Sequence, residues 1–198
     1  MKRKLRLFIL VMVIAFITAT QTTVKAQAFQ NGDMVGNLGV GFGWYGYAFG
    51  AMTSLPAFSI SLEKGIKDIE NVGPLSIGGI VGFKHASYNH GLGLLSDYDN
   101  TYNDIIIAAR GAIHYDLLKN EKVDTYGGVA LGLRFQSYTD WVYDFNTFDI
   151  VKGSSTSIHP LFALYIGGRY YFSDNLAGFA ELGYGLGYLT LGLSYKFN

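Results

Sequence analysis

Two sets of residues in this chain have the types and spacing that chemistry needs: a histidine–serine pair, and eight charges set among apolar neighbours. His85 and Ser87 stand two residues apart, so in an extended segment they share one face, where a base can draw a proton from a hydroxyl nucleophile. Such a pair needs an acid to orient the base, and Asp104 on the following extended segment has the opposite parity. His85 and Ser87 are therefore read as hydrogen-bonding residues, and no catalytic residue is assigned. The eight charges are Glu63, Lys84, Arg110, Asp124, Arg134, Arg169, Glu181 and Lys196. An ion in an apolar interior is costly unless it is paired, so charges spaced this way imply ion pairs. Two readings of the set stay open. One is a structural plug of salt bridges and tyrosine hydrogen bonds; the other is a gate, in which Arg110 or Arg169 changes partner and opens a thin water path.

Metal and cofactor chemistry find little support. Asp97, Asp99 and Asp104 cluster in one segment; Asp140, Asp144 and Asp149 lie in another, interleaved with Tyr138, Trp141, Tyr143, Phe145 and Phe148. These spacings do not match a twelve-residue calcium loop, and no metal-ligand spacing joins His85, His90, His114 and His159. The chain has no cysteine, which excludes disulfides and thiolate metal sites. No cofactor is expected.

The elements that position the charges are eight stretches in which apolar residues alternate with small or polar ones. The C-terminal stretch is the clearest: Leu189, Leu191, Leu193, Tyr195 and Phe197 share one face, and Tyr188, Thr190, Gly192, Ser194 and Lys196 the other. The same alternation predicts strands at residues 37–45, 57–64, 75–88, 103–116, 123–137, 158–172 and 176–185. If each apolar face is turned outward, the charges within the strands turn inward, Lys64 at the end of its strand excepted. A one-residue slip would reverse all of them, so the register is strongly specified. A water-soluble sandwich would put its charges on the exposed face; this pattern instead predicts an all-β, eight-stranded antiparallel up-and-down transmembrane β-barrel with lipid outside. The 26 glycines suit a narrow barrel, in which small inward residues leave room for larger neighbours.

Residues 1–26 stand apart from the barrel. Lys2, Arg3, Lys4 and Arg6 precede an apolar run from Leu7 to Ala19, and Val24-Lys25-Ala26 offers a small-residue cleavage site. This is the pattern of a cleaved signal peptide, with residues 27–198 as the single barrel domain. The whole chain has 15 basic and 15 acidic residues. The leader holds five of the basics and no acid, so the remainder has 10 against 15, a net of −5. No basic patch is left to bind nucleic acid.

Connections expected at 45–56, 89–102 and 138–157 are long and rich in Tyr, Asp and Asn, while those at 65–74, 117–122 and 173–175 are short. Long loops outside and short turns on the periplasmic side place both chain ends in the periplasm. The fourth outer connection, Tyr184-Gly185-Leu186-Gly187, is expected to be a tight turn. Aromatic rings fall near both sets of strand ends: Tyr115, Tyr170, Phe172, Tyr195 and Phe197 at one, Trp44, Phe83, Phe135 and Tyr184 at the other. Two such girdles mark the headgroup zones of a membrane.

The segments Gly168-Arg169-Tyr170-Tyr171-Phe172-Ser173-Asp174-Asn175, Phe179-Ala180-Glu181-Leu182-Gly183-Tyr184-Gly185 and Leu193-Ser194-Tyr195-Lys196-Phe197-Asn198 resemble the small eight-stranded outer-membrane barrels of Gram-negative bacteria, the OmpX-like and OmpA transmembrane-domain group. The resemblance implies residence in the outer membrane among its lipids and lipopolysaccharide. It also implies that Tyr195 and Phe197 form the signal read by the barrel-assembly machinery. Structural or surface-interaction work through the outer loops, with an extracellular protein as partner, is the expected function. A narrow pore or small-solute conduit is the alternative, and a lipid A-modifying enzyme a distant third, because His85 and Ser87 resemble the pair used by outer-membrane deacylases.

Overall fold

The computed structural model describes residues 28–43, 52–89 and 99–197. The expected leader, Trp44, His90 and Asp97 lie outside them. Nine strands follow in order: β1 (Met34–Phe42), β2 (Met52–Ser54), β3 (Ala57–Ile69), β4 (Gly73–Asn89), β5 (Asp99–Tyr115), β6 (Val123–Asp144), β7 (Asp149–Tyr171), β8 (Leu176–Gly183) and β9 (Leu189–Phe197). All pairings are antiparallel. The ladder runs from β1 through β3, β4, β5, β6, β7 and β8 to β9, and β9 pairs with β1 from Phe197↔Met34 to Leu189↔Phe42. The sheet is therefore a closed ring.

The ring has eight staves, because β2 adds none. It pairs with β4 at Ser54↔Ala86, beyond the last β3 pair at Phe58↔Phe83, and Leu55 N donates to His85 O at 3.2 Å. Strands β2 and β3 thus share one edge of β4, interrupted at Leu55-Pro56.

Side chains alternate as the sequence requires. Leu38, Ile60, Val81, Ile107, Leu131, Leu164, Ile166 and Leu193 are exposed around the outside, whereas Glu63, Lys84, Arg110, Asp124 and Arg169 are buried within. A soluble monomer does not expose a continuous apolar belt of this kind, and lipid is the solvent that accepts it. Bulk inside is matched to absence of bulk. The ring of Phe179 occupies the lumen against β1 and β9, where a Cβ on Gly192 would lie 2.6 Å from Phe179 Cε1 and one on Gly39 3.1 Å from Phe179 Cζ.

Several boundaries differ from those expected. Strand β3 continues to Ile69 past a bulge between Gly65 and Lys67, and a tight turn with Asn71 at φ 61° leads into β4. Pro74 consequently lies within a strand as Pro160 does. Residues 138–157 are mostly strand and not loop: β6 and β7 stay paired through Tyr138↔Ser155 and Val142↔Val151 to Asp144↔Asp149. Val142 opposite Val151 and Tyr143 opposite Ile150 are β-branched and aromatic cross-strand partners, and Thr139 and Trp141 beside them are good strand formers, which favours pairing over a free loop. Their acidic neighbours masked that preference in the sequence.

Leu131 faces outward between Ala109 and Phe162, level with Arg110. Leu131→Arg should lower folding stability in phospholipid vesicles by about 2–4 kcal/mol, measured by urea titration. An unchanged midpoint would mean that this face does not meet hydrocarbon.

Candidate functional site

The inward charges assemble into three tiers along the lumen. The first lies at the end carrying Ala28 and Phe197, where β3, β5, β6 and β7 each present one polar residue. Arg169 of β7 binds Asp124 of β6, with Nη1 to Oδ2 at 2.7 Å, and its Nη2 binds Glu63 of β3. Asp124 turns its other oxygen to His114 of β5, with Oδ1 2.8 Å from Nδ1. Ser76 of β4 closes the circuit: its Oγ donates to Glu63 Oε2 at 3.3 Å and lies 3.0 Å from His114 Nε2. Both oxygens of each carboxylate are used, which is what burial of two carboxylates demands. Arg169 also lies 4.4 Å over the Tyr126 ring, adding a cation–π contact in a dry setting.

Ser76, His114 and Asp124 stand in the order and spacing of a hydrolytic triad. All three side chains are fully buried, and Phe29 stacks on the His114 ring at 3.9 Å and 12°. A substrate carbonyl has no approach to Ser76 Oγ, so the arrangement serves the packing of this tier. Phe29 belongs to an arm, residues 28–33, that folds across this end. Gly32 N donates to Gly65 O at 3.0 Å, and Gly65 N to Asp33 O at 2.9 Å. Lys196 Nζ holds the arm by donating to Ala28 O at 3.1 Å, with Asp33 Oδ2 3.5 Å away.

The second tier is centred on Arg110. Its Nη2 pairs with Glu181 Oε1 at 2.7 Å, Nε donates to Tyr165 Oη at 3.1 Å, and Nη1 reaches Ser61 Oγ at 3.4 Å. Tyr126 Oη donates to the same Glu181 oxygen at 2.9 Å, tying this tier to the ring beneath it. Ser61 in turn accepts from Asn37 Nδ2 at 2.9 Å, and Ser194 Oγ donates to Asn37 Oδ1 at 2.7 Å.

The third tier sits at the opposite mouth. Arg134 Nη2 donates to Gly185 O at 3.1 Å and Lys84 Nζ to Leu186 O at 3.5 Å. The β8–β9 connection is thus more than a tight surface turn. It bends into the barrel and buries Leu186, because Gly82 opposite leaves space where a Cβ would lie 2.6 Å from Leu186 Cδ1. Tyr188, assigned by parity to the inner face, is half exposed, since β9 begins only at Leu189.

Taken by position, Glu63, Asp124 and Arg169 meet in one cluster, Arg110 and Glu181 in another. Lys84 and Arg134 both reach the β8–β9 connection, and Lys196 serves the arm. The chain folds as an eight-stranded transmembrane barrel. No protein-family model matches the sequence, and no curated protein does. Among solved structures it is similar to Ail, the attachment invasion locus protein of Yersinia pestis, crystallised with the heparin analogue sucrose octasulfate. That likeness has 16% identity and a TM-score of 0.47, over 85% of this chain and 100% of that one. It is also similar to the N-terminal β-barrel domain of Pseudomonas aeruginosa OprF, at 14% identity and a TM-score of 0.41, over 85% of this chain and 98% of that one. The barrel assignment rests on the closed ladder and the apolar belt.

His85 and Ser87 are on the outward face, where the imidazole Nδ1 lies 2.7 Å from Asn103 Oδ1, an amide in the place an acid would need to take. Asp104 is buried inside and accepts from Gln136 Nε2 at 3.0 Å. Among the described residues no three His, Asp or Glu side chains converge on a metal position. Phe29, Ser76 and Leu186 were not singled out from the sequence. Ser76 carries the inward parity of its strand, but Phe29 and Leu186 lie outside any alternation that could mark them.

Removing Arg169 leaves Glu63 and Asp124 facing each other without a counter-charge. Arg169→Met should cost about 3–5 kcal/mol in urea unfolding of the reconstituted protein. The triple variant Glu63→Gln, Asp124→Asn, Arg169→Met should recover most of that loss; equal losses would show that the charges are not coupled.

Proposed function

We propose that the protein is an outer-membrane barrel whose work is done by the β6–β7 hairpin at the cell surface, with an extracellular protein as partner. The observation that carries this reading is the unequal height of the wall. Pairing of β7 with β8 stops at Tyr165↔Gly183, yet β7 continues back to Asp149, roughly 50 Å of strand at ~3.3 Å per residue. On the other side β5 accompanies β6 only as far as Thr101↔Thr139. The hairpin ends in Phe145 and Phe148, 79% and 78% exposed, above a tip where the backbone N–H of Asn146 holds the Asp144 carboxyl below the usual carboxylate range.

Along residues 149–163 the β8-facing edge of β7 has no strand beside it among the described residues. An open edge with exposed Ser154-Ser155-Thr156-Ser157 can accept an extended segment of another protein by main-chain hydrogen bonds, with the aromatic tip as anchor. Outer-membrane residence, reached through a cleaved leader and insertion signalled by Tyr195 and Phe197, fits the apolar belt, and lipopolysaccharide would surround the hairpin base. The tiers of the lumen favour a plug over a pore, and the Asn103 partner of His85 gives no support to lipid A chemistry.

The test replaces residues 141–152 by Asn-Gly, a two-residue turn suited to joining the paired Asp140 and Gly153. The barrel should fold unchanged, while adhesion of cells displaying it to immobilised extracellular proteins should fall to the level of cells lacking it. Unaltered adhesion would overturn the proposal. In planar bilayers the intact protein should show no sustained single-channel conductance; a steady open level would return the gate reading to first place.

A further inference from the structure

The two faces of the β6–β7 hairpin put opposite charges beside the β8-facing edge of β7, which no described strand accompanies above Tyr165. Leu164 turns its carbonyl to that side, accepting from Tyr184 N at 2.8 Å, and the β6–β7 register runs unbroken from there to Asp149. Strand alternation therefore aims the N–H and C=O of Ile158, Thr156, Ser154 and Lys152 at the edge. Pro160 belongs to the same series and has no N–H to leave unpaired, which suits a proline to an edge. The side chains of this series lie on the outer face, where the Lys152 ammonium sits 5.8 Å over the Trp141 ring. On the inner face Gly153, paired with Asp140, carries no side chain, and the Asp140 carboxylate takes that place: a Cβ on Gly153 would collide with Asp140 Oδ1. Among the described residues no donor is bonded to that carboxylate. Gly153 turns its own N–H and C=O to β6. A strand added at the edge would thus meet it in a non-hydrogen-bonded pair, where side chains approach most closely.

We infer that the partner's segment is a strand added antiparallel to β7, with a basic residue opposite Gly153 followed directly by an acidic residue opposite Lys152. The inference rests on the reading of this edge as the protein-binding surface and supplies its specificity. The base falls on the inner face beside the Asp140 carboxylate, and the acid on the outer face beside the Lys152 ammonium. Opposite charges placed as cross-strand neighbours attract, and like charges so placed repel. A slip of one residue in either direction sets a charge beside its like, so the pair fixes register as well as partner. A parallel strand would need the two residues in reverse order; antiparallel pairing is the rule on both sides of β7 and the stronger of the two. Ile150 and Ile158 stand on the outer face at the two ends of the stretch and favour β-branched residues opposite them.

The full barrel in phosphatidylcholine nanodiscs is titrated with the peptide acetyl-Val-Ser-Thr-Ser-Thr-Arg-Glu-Val-Ile-amide and followed by amide NMR. Its Arg and Glu fall opposite Gly153 and Lys152 when its first residue faces Ile158. Before addition, the N–H groups of Ser154 and Thr156 should exchange rapidly with solvent; protection there would mean that the edge is already paired and would overturn the inference. With the peptide, saturable shifts and slowed exchange are expected at Lys152, Ser154 and Thr156. The same peptide with Arg and Glu interchanged should need roughly tenfold more to half-saturate, because two attractive neighbours become two repulsive ones. The double variant Asp140→Lys, Lys152→Glu should reverse that preference; if it does not fold, the ratio of the two peptides on the unaltered barrel still decides. Equal half-saturation by both peptides would overturn the charge assignment and leave the edge standing as a docking surface. Freely exchanging edge amides that respond to neither peptide would overturn both.

Discussion

Sidedness constrains everything else in this molecule. With lipid on the outside, each strand must send its leucines and isoleucines out, and parity then sends every intramembrane charge inward. The lumen of an eight-stranded ring is too narrow to give those charges a water shell, so they must satisfy one another. Arg169 between Glu63 and Asp124, and Arg110 between Glu181 and the tyrosines, are the consequences. These pairs need not stabilise the barrel more than a well-packed apolar core would. Their greater effect is on register. Slipping one strand by a residue would break a buried pair and also push an ion into hydrocarbon, a double penalty that no apolar core would impose.

The tiers also show how a ring of staves is capped at each end by its own chain. At one end the arm brings in Phe29, which gives His114 an apolar lid and receives a lysine from the last strand. At the other, the β8–β9 connection brings in Leu186 between two cations. Each closure places one large apolar side chain over a charged layer, which lowers the local dielectric and strengthens the ion pairs beneath. The closures differ in tether. The arm is tied by main-chain bonds on both sides of Gly65 and by Lys196. The connection is tied by main-chain bonds at Tyr184 and Tyr188, and Arg134 and Lys84 reach the carbonyls of Gly185 and Leu186 between them.

The barrel was legible in the sequence because its signal is repeated. Eight alternating stretches each vote on the same inside and outside, and charges such as Glu63, Arg110 and Arg169 fall on one side in all of them. Which charge meets which was not legible, since Arg169 and Glu63 are 106 residues apart and come together only after the ring closes. The ends were read less well for a different reason. Phe29 and Leu186 are single apolar residues amid glycine and polar neighbours, and their burial depends on where the chain turns, not on periodicity. The β6–β7 hairpin reads as loop in the sequence because Asp140, Asp144 and Asp149 look like surface punctuation. Across the ladder those acids are spaced between Trp141, Val142 and Tyr143, which set the pairing.

Lumen and rim are consequently separable in what they can contribute. Inside, nearly every polar group is committed to a partner, and a change of one costs the others, so the interior has little freedom to evolve a new task. The rim has no such burden. Above the membrane, β6 and β7 need only their mutual ladder, and the residues at 154–157 face solvent on both sides. A free strand edge of this length would ordinarily be blunted with charge or covered to prevent unwanted pairing. Between Lys152 and His159 this edge carries no charged residue. Open as it is among the described residues, the edge is a liability for a barrel that only needs to be stable, and it is the feature that the proposed pairing with another chain uses.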